Sequence, residues 1–452
     1  MKLSASEKIA RFVVGFDPST IAAPARHVIA RALYDTIVVA IAGAGEPASR
    51  KVLDYARAQG AGQGATVWAS GESLTLEHAA LVNGTMGHAL DYDDVASPLR
   101  GHATVAMLPA LLALGESIQS DGRALVDAFA VGFEVTLKIA RAIVDDHYAK
   151  GWHSTASIAT FGATAACARL LGLDLQTTTH ALGIAVSQIS GTRQNFGTMA
   201  KPFQAGLANA VALRSVLLAQ AGVDASRVAM DGEHGYSVLY ADGQDLHAQL
   251  DALGALPIEI ERSGIEVKKY PLCYATHRAI DGTLDAIAEH RFTFGDVEKV
   301  AVHTNYRATV PLIYHRPQTG LEGKFSMEYA VAAALHDGWV RLASFEDAAV
   351  QRPVIQAFLP KVTVTEATPP MFPRWTELAI HLRNGSVLSS RIERLRGSAE
   401  FPLSDAELIQ KGADCCAFAG APMSADALAK LCFSIDDMPV RQLMRELGRP
   451  SP

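Results

Sequence analysis

Cysteine is scarce in this chain and poorly spaced for metal or disulfide work. Cys167, Cys273, Cys415, Cys416 and Cys432 are odd in number, and none stands in a C-x-x-C pair. A disulfide scaffold, a zinc ribbon and a thioredoxin-like centre are therefore poor readings. Positive charge is also short: 40 Lys plus Arg against 47 Asp plus Glu leave a net charge of -7, which argues against a broad nucleic-acid or anionic-membrane surface. Long apolar runs are missing. Ile37 to Gly43 and Ala103 to Gly115 fall short of the roughly 20 residues a bilayer requires, and the second contains Pro109. Glu7, Lys8 and Arg11 lie where a secretory signal would need its apolar core, so the reading is a cytoplasmic protein. The phosphate loop G-x-x-x-x-G-K-[ST], the zinc-protease H-E-x-x-H and the esterase elbow G-x-S-x-G do not occur. Gly60, Gly62 and Gly64 lack the preceding strand of a dinucleotide fingerprint. A calcium loop starting at Asp91 would need Gly and Glu where Ala96 and His102 stand.

What is present is a long apolar chain, 452 residues and 49% hydrophobic, with enough material for more than one core. Up to about residue 262 the pattern is helical and rich in Ala and Leu: Ala23 to Ala44, Thr75 to Gly87, Thr104 to Gln119, Gly122 to Val144, His153 to Leu171, Leu173 to Gln188 and Gly206 to Ala221. Helices apolar on all sides imply layers buried on several faces. After Lys268 the period shortens. Val297 to Asn305, Lys361 to Glu366, Glu377 to Arg383 and Val387 to Glu393 alternate as strands of an antiparallel sheet, with Asn384-Gly385 as a type I′ hairpin signal. Helices at Ala275 to His290 and Phe325 to His336 interrupt them, and Ser404 caps a return to helix. The expected architecture is mainly α, a large all-helical domain over 1–264 and 398–452 with a smaller α+β lid domain inserted over 265–397.

Four short segments set ionisable residues beside Gly and Pro in apolar surroundings. They are Gly87-His88-Ala89-Leu90-Asp91-Tyr92-Asp93-Asp94, running on to Gly101-His102-Ala103-Thr104; Gly151-Trp152-His153-Ser154-Thr155; Gly197-Thr198-Met199-Ala200-Lys201-Pro202-Phe203; and Lys268-Lys269-Tyr270-Pro271-Leu272-Cys273. Most adjoin a helix end, where backbone N–H groups and side chains can face a cavity. Together with Thr319-Gly320-Leu321-Glu322-Gly323-Lys324-Phe325-Ser326, and in this order, they resemble the MmgE/PrpD family across nearly the whole chain. Its members include 2-methylcitrate dehydratase, cis-aconitate decarboxylase and iminodisuccinate epimerase.

The resemblance implies a homodimer and a pocket between two domains, with no metal and no organic cofactor. It assigns pocket roles to Asp91, His102, His153, Lys201 and Lys268. Three positions depart from the pattern: Val95 replaces a Thr, His102-Ala103-Thr104 replaces H-P-S, and Cys273 stands where the decarboxylase has His. Tyr314 and Arg316 are further candidate substrate contacts, as is Cys273, which serves equally well as a small buried hydrophobe. Asp93 and Asp94 read as structural or solvated. His27, His78, His180, His290 and His381 read as ordinary core or surface residues.

The implied chemistry is proton transfer beside a carboxylate of a small di- or tricarboxylic acid, an anionic substrate. His102 and His153 would be the acid–base pair, Asp91 would orient one imidazole or touch substrate, and Lys201 and Lys268 would hold carboxylates. A lyase, foremost a dehydratase, is the leading expectation. An epimerase or a decarboxylase is the alternative, and a non-catalytic polycarboxylate binder is the reading from another class.

Overall fold

The computed structural model describes residues 3–60 and 62–449. By its contacts the chain divides into two compact units, one of residues 1–194, 199–267 and 404–452, the other of residues 195–198 and 268–403. The larger is built almost wholly from helices: α1 (Ala23–Gly43), α2 (Leu76–His88), α3 (Leu108–Ser117), α4 (Gly122–Ala149), α5 (Ala159–Leu171), α6 (Leu175–Val186) and α7 (Ala200–Gln220) among them. It is not strictly all-helical, because Ala65–Thr66 and Ser73–Leu74 pair as a short antiparallel hairpin.

Local chemistry sets the helix starts. Thr75, Asp121 and Asp174 each accept a backbone N–H from the first turn of α2, α4 and α6. Helix α3 begins at Leu108 rather than at Thr104, since Pro109 fits only the first turn, where its missing N–H is not needed. The buried Asn209 of α7 takes the next orphan donor, accepting from Ala110 N at 2.9 Å, and donates to Val105 O at 2.9 Å. The expected single helix from His153 to Leu171 is broken at Ile158, into Ser154–Ser157 and α5.

Helices α2 and α7 cross where neither carries a side chain. A Cβ built on Gly84 would lie 2.8 Å from Gly206 Cα, and one on Gly206 would lie 2.3 Å from Leu81 O. Nothing larger than glycine permits this approach. The helices run antiparallel there, so the last residue of α2, His88, arrives beside the first turn of α7, which holds Lys201. The helical pattern was expected to resume only at Gly206, yet α7 starts six residues earlier and includes Lys201-Pro202. Pro202 is tolerated because it falls in the first turn, where N–H groups have no intrahelical acceptor.

The smaller unit packs α8 (His277–His290) and α9 (Met327–Asp337) on a four-stranded sheet of β1 (Val297–Thr304), β2 (Val362–Glu366), β3 (Thr376–Leu382) and β4 (Val387–Ile392), in the order β2-β1-β3-β4. The sheet is mixed, not antiparallel throughout: Val300 pairs with Val362 in a parallel β1–β2 ladder, while β1–β3 and β3–β4 are antiparallel. The hairpin at Asn384-Gly385 forms, but by a different turn. Leu382 N donates to Ser386 O at 2.9 Å, and of the loop residues only Gly385 has positive φ, +87°. That is a three-residue loop ending in a left-handed glycine, whereas a type I′ turn needs two consecutive positive φ values. Val300, Val302, Leu378, Ile380, Tyr329 and Val331 are in its core.

The chain then returns to the larger unit as α10 (Asp405–Ala419), whose Ser404 and Glu407 form a capping box. No single helix among the described residues is long and apolar enough to cross a membrane; α1 reaches that composition only jointly with Pro47–Ala58, at an 86° bend.

Candidate active site

Helix α2 ends inside the protein, and the chain turns sharply through residues 89–94. Asp91 sits in the left-handed region at φ +52°, a conformation that costs an L-residue roughly 1–2 kcal/mol and is most tolerable for Asp and Asn. From there the chain runs back along the segment around His153. His102 N donates to Thr155 Oγ1 at 3.1 Å, and Ser154 Oγ donates to Arg100 O at 3.1 Å. A Cβ on Gly101 would fall 2.7 Å from Thr155 Oγ1, which is why the residue before His102 has none. Val95 and Glu266 exchange both backbone hydrogen bonds, at 2.8 and 2.9 Å, fixing the loop's other edge.

These connections gather six ionisable side chains, all buried. Lys201 Nζ donates to Asp91 Oδ1 at 2.5 Å and to His88 Nε2 at 2.9 Å. Because the ammonium can only donate, His88 Nε2 accepts, and its proton lies on Nδ1, which faces both oxygens of Asp93 at 2.9 and 3.0 Å. His102 Nδ1 lies 2.9 Å from Asp93 Oδ2, and His102 Nε2 lies 3.7 Å from Asp91 Oδ1. The His88 ring centroid is 4.4 Å from that of His102 and 6.1 Å from that of His153. His153 Nδ1 meets Gln204 Oε1 at 2.6 Å; Gln204 in turn donates through Nε2 to Thr192 O at 3.2 Å, which fixes the amide's orientation. His153 therefore carries its proton on Nδ1 and its lone pair on Nε2.

Burial favours the uncharged imidazole. It brings His88 down to about 4 against the pull of Asp93, and it holds His153 well below the usual histidine value, with Lys201 and His88 adding to the effect. Burial acts the other way on Asp93, but the imidazoles of His102 and His88 outweigh it and keep that carboxyl well below the usual carboxylate range. Asp93 is thus neither solvated nor a simple cap; it is the shared partner of two histidines. Asp91 was expected to orient one imidazole or touch substrate; of its contacts here, that with Lys201 at 2.5 Å is shorter than that with His102 at 3.7 Å.

His88, Asp91 and His102 bring one ligand atom each to within 4.8 Å of one another, the donor set of a divalent-metal site. The Lys201 ammonium touches two of those three side chains, at His88 Nε2 and Asp91 Oδ1, so a cation belonging to the chain itself stands beside them.

Of the expected residues, the structure brings Asp91, His102, His153 and Lys201 into one cluster. The others lie in the smaller unit. Lys268 is buried, and Cys273 is part of that unit's apolar core. Tyr314 packs against this core and donates to Phe196 O at 3.4 Å, while Arg316 is exposed. His88, Asp93 and Gln204 were missed. The signal was available: Asp91 and Asp93 alternate about Tyr92, His88 is the last residue of its helix, and Gln204 follows Lys201 by three, hence on the same face of α7.

The sequence matches the MmgE/PrpD N-terminal domain over residues 7–249 and the MmgE/PrpD C-terminal domain over residues 270–434. It is 28% identical to a cis-aconitate decarboxylase of Mus musculus over 397 residues, covering 84% of this chain and 80% of the mouse protein. The cis-aconitate decarboxylase of Homo sapiens is 26% identical over 399 residues, with 84% and 81% covered. That of Aspergillus terreus (strain NIH 2624 / FGSC A1156) is 27% identical over 364 residues, with 74% of each chain covered. These relatives are named as decarboxylases, and decarboxylases are lyases, the class expected from the sequence. The chain belongs to the MmgE/PrpD family.

Proposed function

We propose that the protein is a lyase that works on a small polycarboxylate without a cofactor, moving a proton at a carbon beside a carboxylate. One observation carries this reading: a single buried cluster holds an imidazole with a fixed lone pair, an imidazole set between two carboxylates, and an ammonium. His153 is the base, because Gln204 fixes its proton on Nδ1 and burial keeps it neutral. His102, with Asp93 2.9 Å from its Nδ1 and Asp91 3.7 Å from its Nε2, is assigned the part of the acid. Lys201 and Lys268 supply positive charge to substrate carboxylates, where each fixed donor contributes roughly 2.7–4 kcal/mol to a developing anion.

Decarboxylation of a cis-aconitate-like acid is the first form of the reaction, supported by the relatives' names. The C–C bond to one carboxylate breaks, carbon dioxide leaves, and the electron pair left on carbon takes a proton from His102. Dehydration is the second form, favoured by the presence of a base as well as an acid. There His153 Nε2 takes the carbon-bound proton and His102 protonates the departing hydroxyl. The lid role of the smaller unit and the homodimer belong to the same proposal.

The test is incubation in deuterated water with cis-aconitate, citrate, 2-methylcitrate and iminodisuccinate, followed by NMR. Carbon dioxide with one deuterium in the product identifies the first form, and an alkene with loss of hydroxyl the second. Exchange without net conversion shows an epimerase instead. No change in any substrate, with the acids still bound, overturns the lyase reading in favour of a binder.

A further inference from the structure

We infer that Lys411, on α10, is a positioning residue that holds the turn carrying Asp91 and Asp93 from behind; this rests on the reading of those residues as part of the reactive cluster. Lys411 is buried, its Nζ donates to Tyr92 O at 2.8 Å, and the same atom lies 4.0 Å from the centroid of the Tyr92 ring. On its other side it meets Asp35 Oδ1 of α1 at 2.6 Å. Tyr92 is the residue between Asp91 and Asp93, so the direction of its peptide group sets both carboxylates. Asp91 is already in a left-handed conformation, which persists only when its surroundings hold it there.

Close packing brings the lysine to this position. Gly412 faces Tyr34, where an added Cβ would lie 1.9 Å from the phenol oxygen, so α10 can sit against α1 only with glycine there. The turn is then fixed from two sides, by Lys201 and the imidazoles in front and by Lys411 behind. Every residue of the buried cluster comes from residues 88–204, whereas the rear contact comes from the C-terminal return of the chain.

A plain alternative is that Lys411 serves only as the counterion of Asp35. Two double variants of the full chain separate the two roles: D35N/K411M and D35N/K411Q. Both remove the ion pair, and only Gln keeps a donor for Tyr92 O. With histidines labelled by nitrogen-15, D35N/K411M is expected to fold but to shift the ring signals of His88 and His102, while those of His147 stay. D35N/K411Q is expected to stay near the wild-type signals. On whichever substrate the NMR panel identifies, D35N/K411M should lose at least about tenfold in kcat with KM within about twofold. Identical histidine signals in the two variants and the wild type overturn the proposal. Should the Met variant not fold, loss of the His88 and His102 signals in D35N/K411Q, despite its retained donor, overturns it equally. These signals need no substrate, so a failure of the lyase reading shows separately, as inactivity of a wild type whose variants still differ by NMR.

Discussion

Two groups of buried charged side chains in the larger unit are built on opposite principles. In the first, Glu134 accepts from Gly254 N at 3.1 Å and Glu259 N at 2.6 Å, while Glu259 accepts from Arg141 at 3.0 and 2.9 Å and from Ser263 Oγ at 2.6 Å. Lys138 adds a contact to Glu259 at 3.1 Å. Donors and acceptors are matched, and the group pins α4 to residues 254–263. The second group, around Asp93, shares one carboxylate between two imidazoles and leaves His102 Nδ1 at contact distance without an aligned hydrogen bond. Burial of charge is common to both, so burial does not mark the reactive one. Protonation sites held at fixed places, yet open to change, do.

This contrast fails or sharpens under four measurements. The largest effect is expected from H153Q and K201M. Each should lower kcat of the folded fraction by roughly 10²–10⁴-fold, as judged by steady-state turnover on the substrate the NMR panel identifies; H153Q should leave the melting temperature little changed, whereas K201M strands the buried Asp91 and should also cost ~3–5 kcal/mol of stability. A smaller loss would move either residue into the matched class. K138M is expected to do the reverse: it leaves Glu259 one buried cation short, costing ~3–5 kcal/mol in urea unfolding with kcat of the folded fraction unchanged. Loss of turnover in step with stability would erase the distinction.

The third measurement concerns pH. His88 is brought from 6.5 down to about 4, so between those values the unfolded chain binds a proton that the folded chain refuses. Stability must therefore fall as pH drops through that window, by about 1.4 kcal/mol per pH unit for one such group. H88Q should flatten the urea-unfolding profile by that slope, whereas an unchanged profile would mean that His88 is protonated in the fold. Last and smallest, the exposed Arg316 should tolerate Ala within about 0.5 kcal/mol of stability. Its KM then reports on function alone: a rise of about tenfold keeps it as a substrate contact, and no change removes it.

What the chain reveals before folding follows from the range of each interaction. The strands at Val297–Thr304 and Thr376–Leu382 begin and end within a residue of their alternating pattern, because that pattern is local. The parallel partner of Val300 is Val362, 62 residues on, and no local signal announces it. Likewise His102 and His153 stand out by their glycine-bounded segments, but the tautomer of His153 depends on Gln204 and Thr192, from two other segments. The burial of Asp93 between two imidazoles escaped notice for the same reason. A carboxylate in a turn is ordinarily solvated, and only the crossing of α2 and α7 at Gly84 and Gly206 brings the surroundings that enclose the cluster.

The return of the chain as α10 also sets an order in time. A ribosome releases the last cluster residue, Gln204, long before Lys411; at ~5–20 residues per second the gap is roughly 10–40 s. Through that interval the nascent protein owns the whole buried cluster but lacks the lysine behind Tyr92, so the order of synthesis delays completion of the site until almost the whole chain has been made.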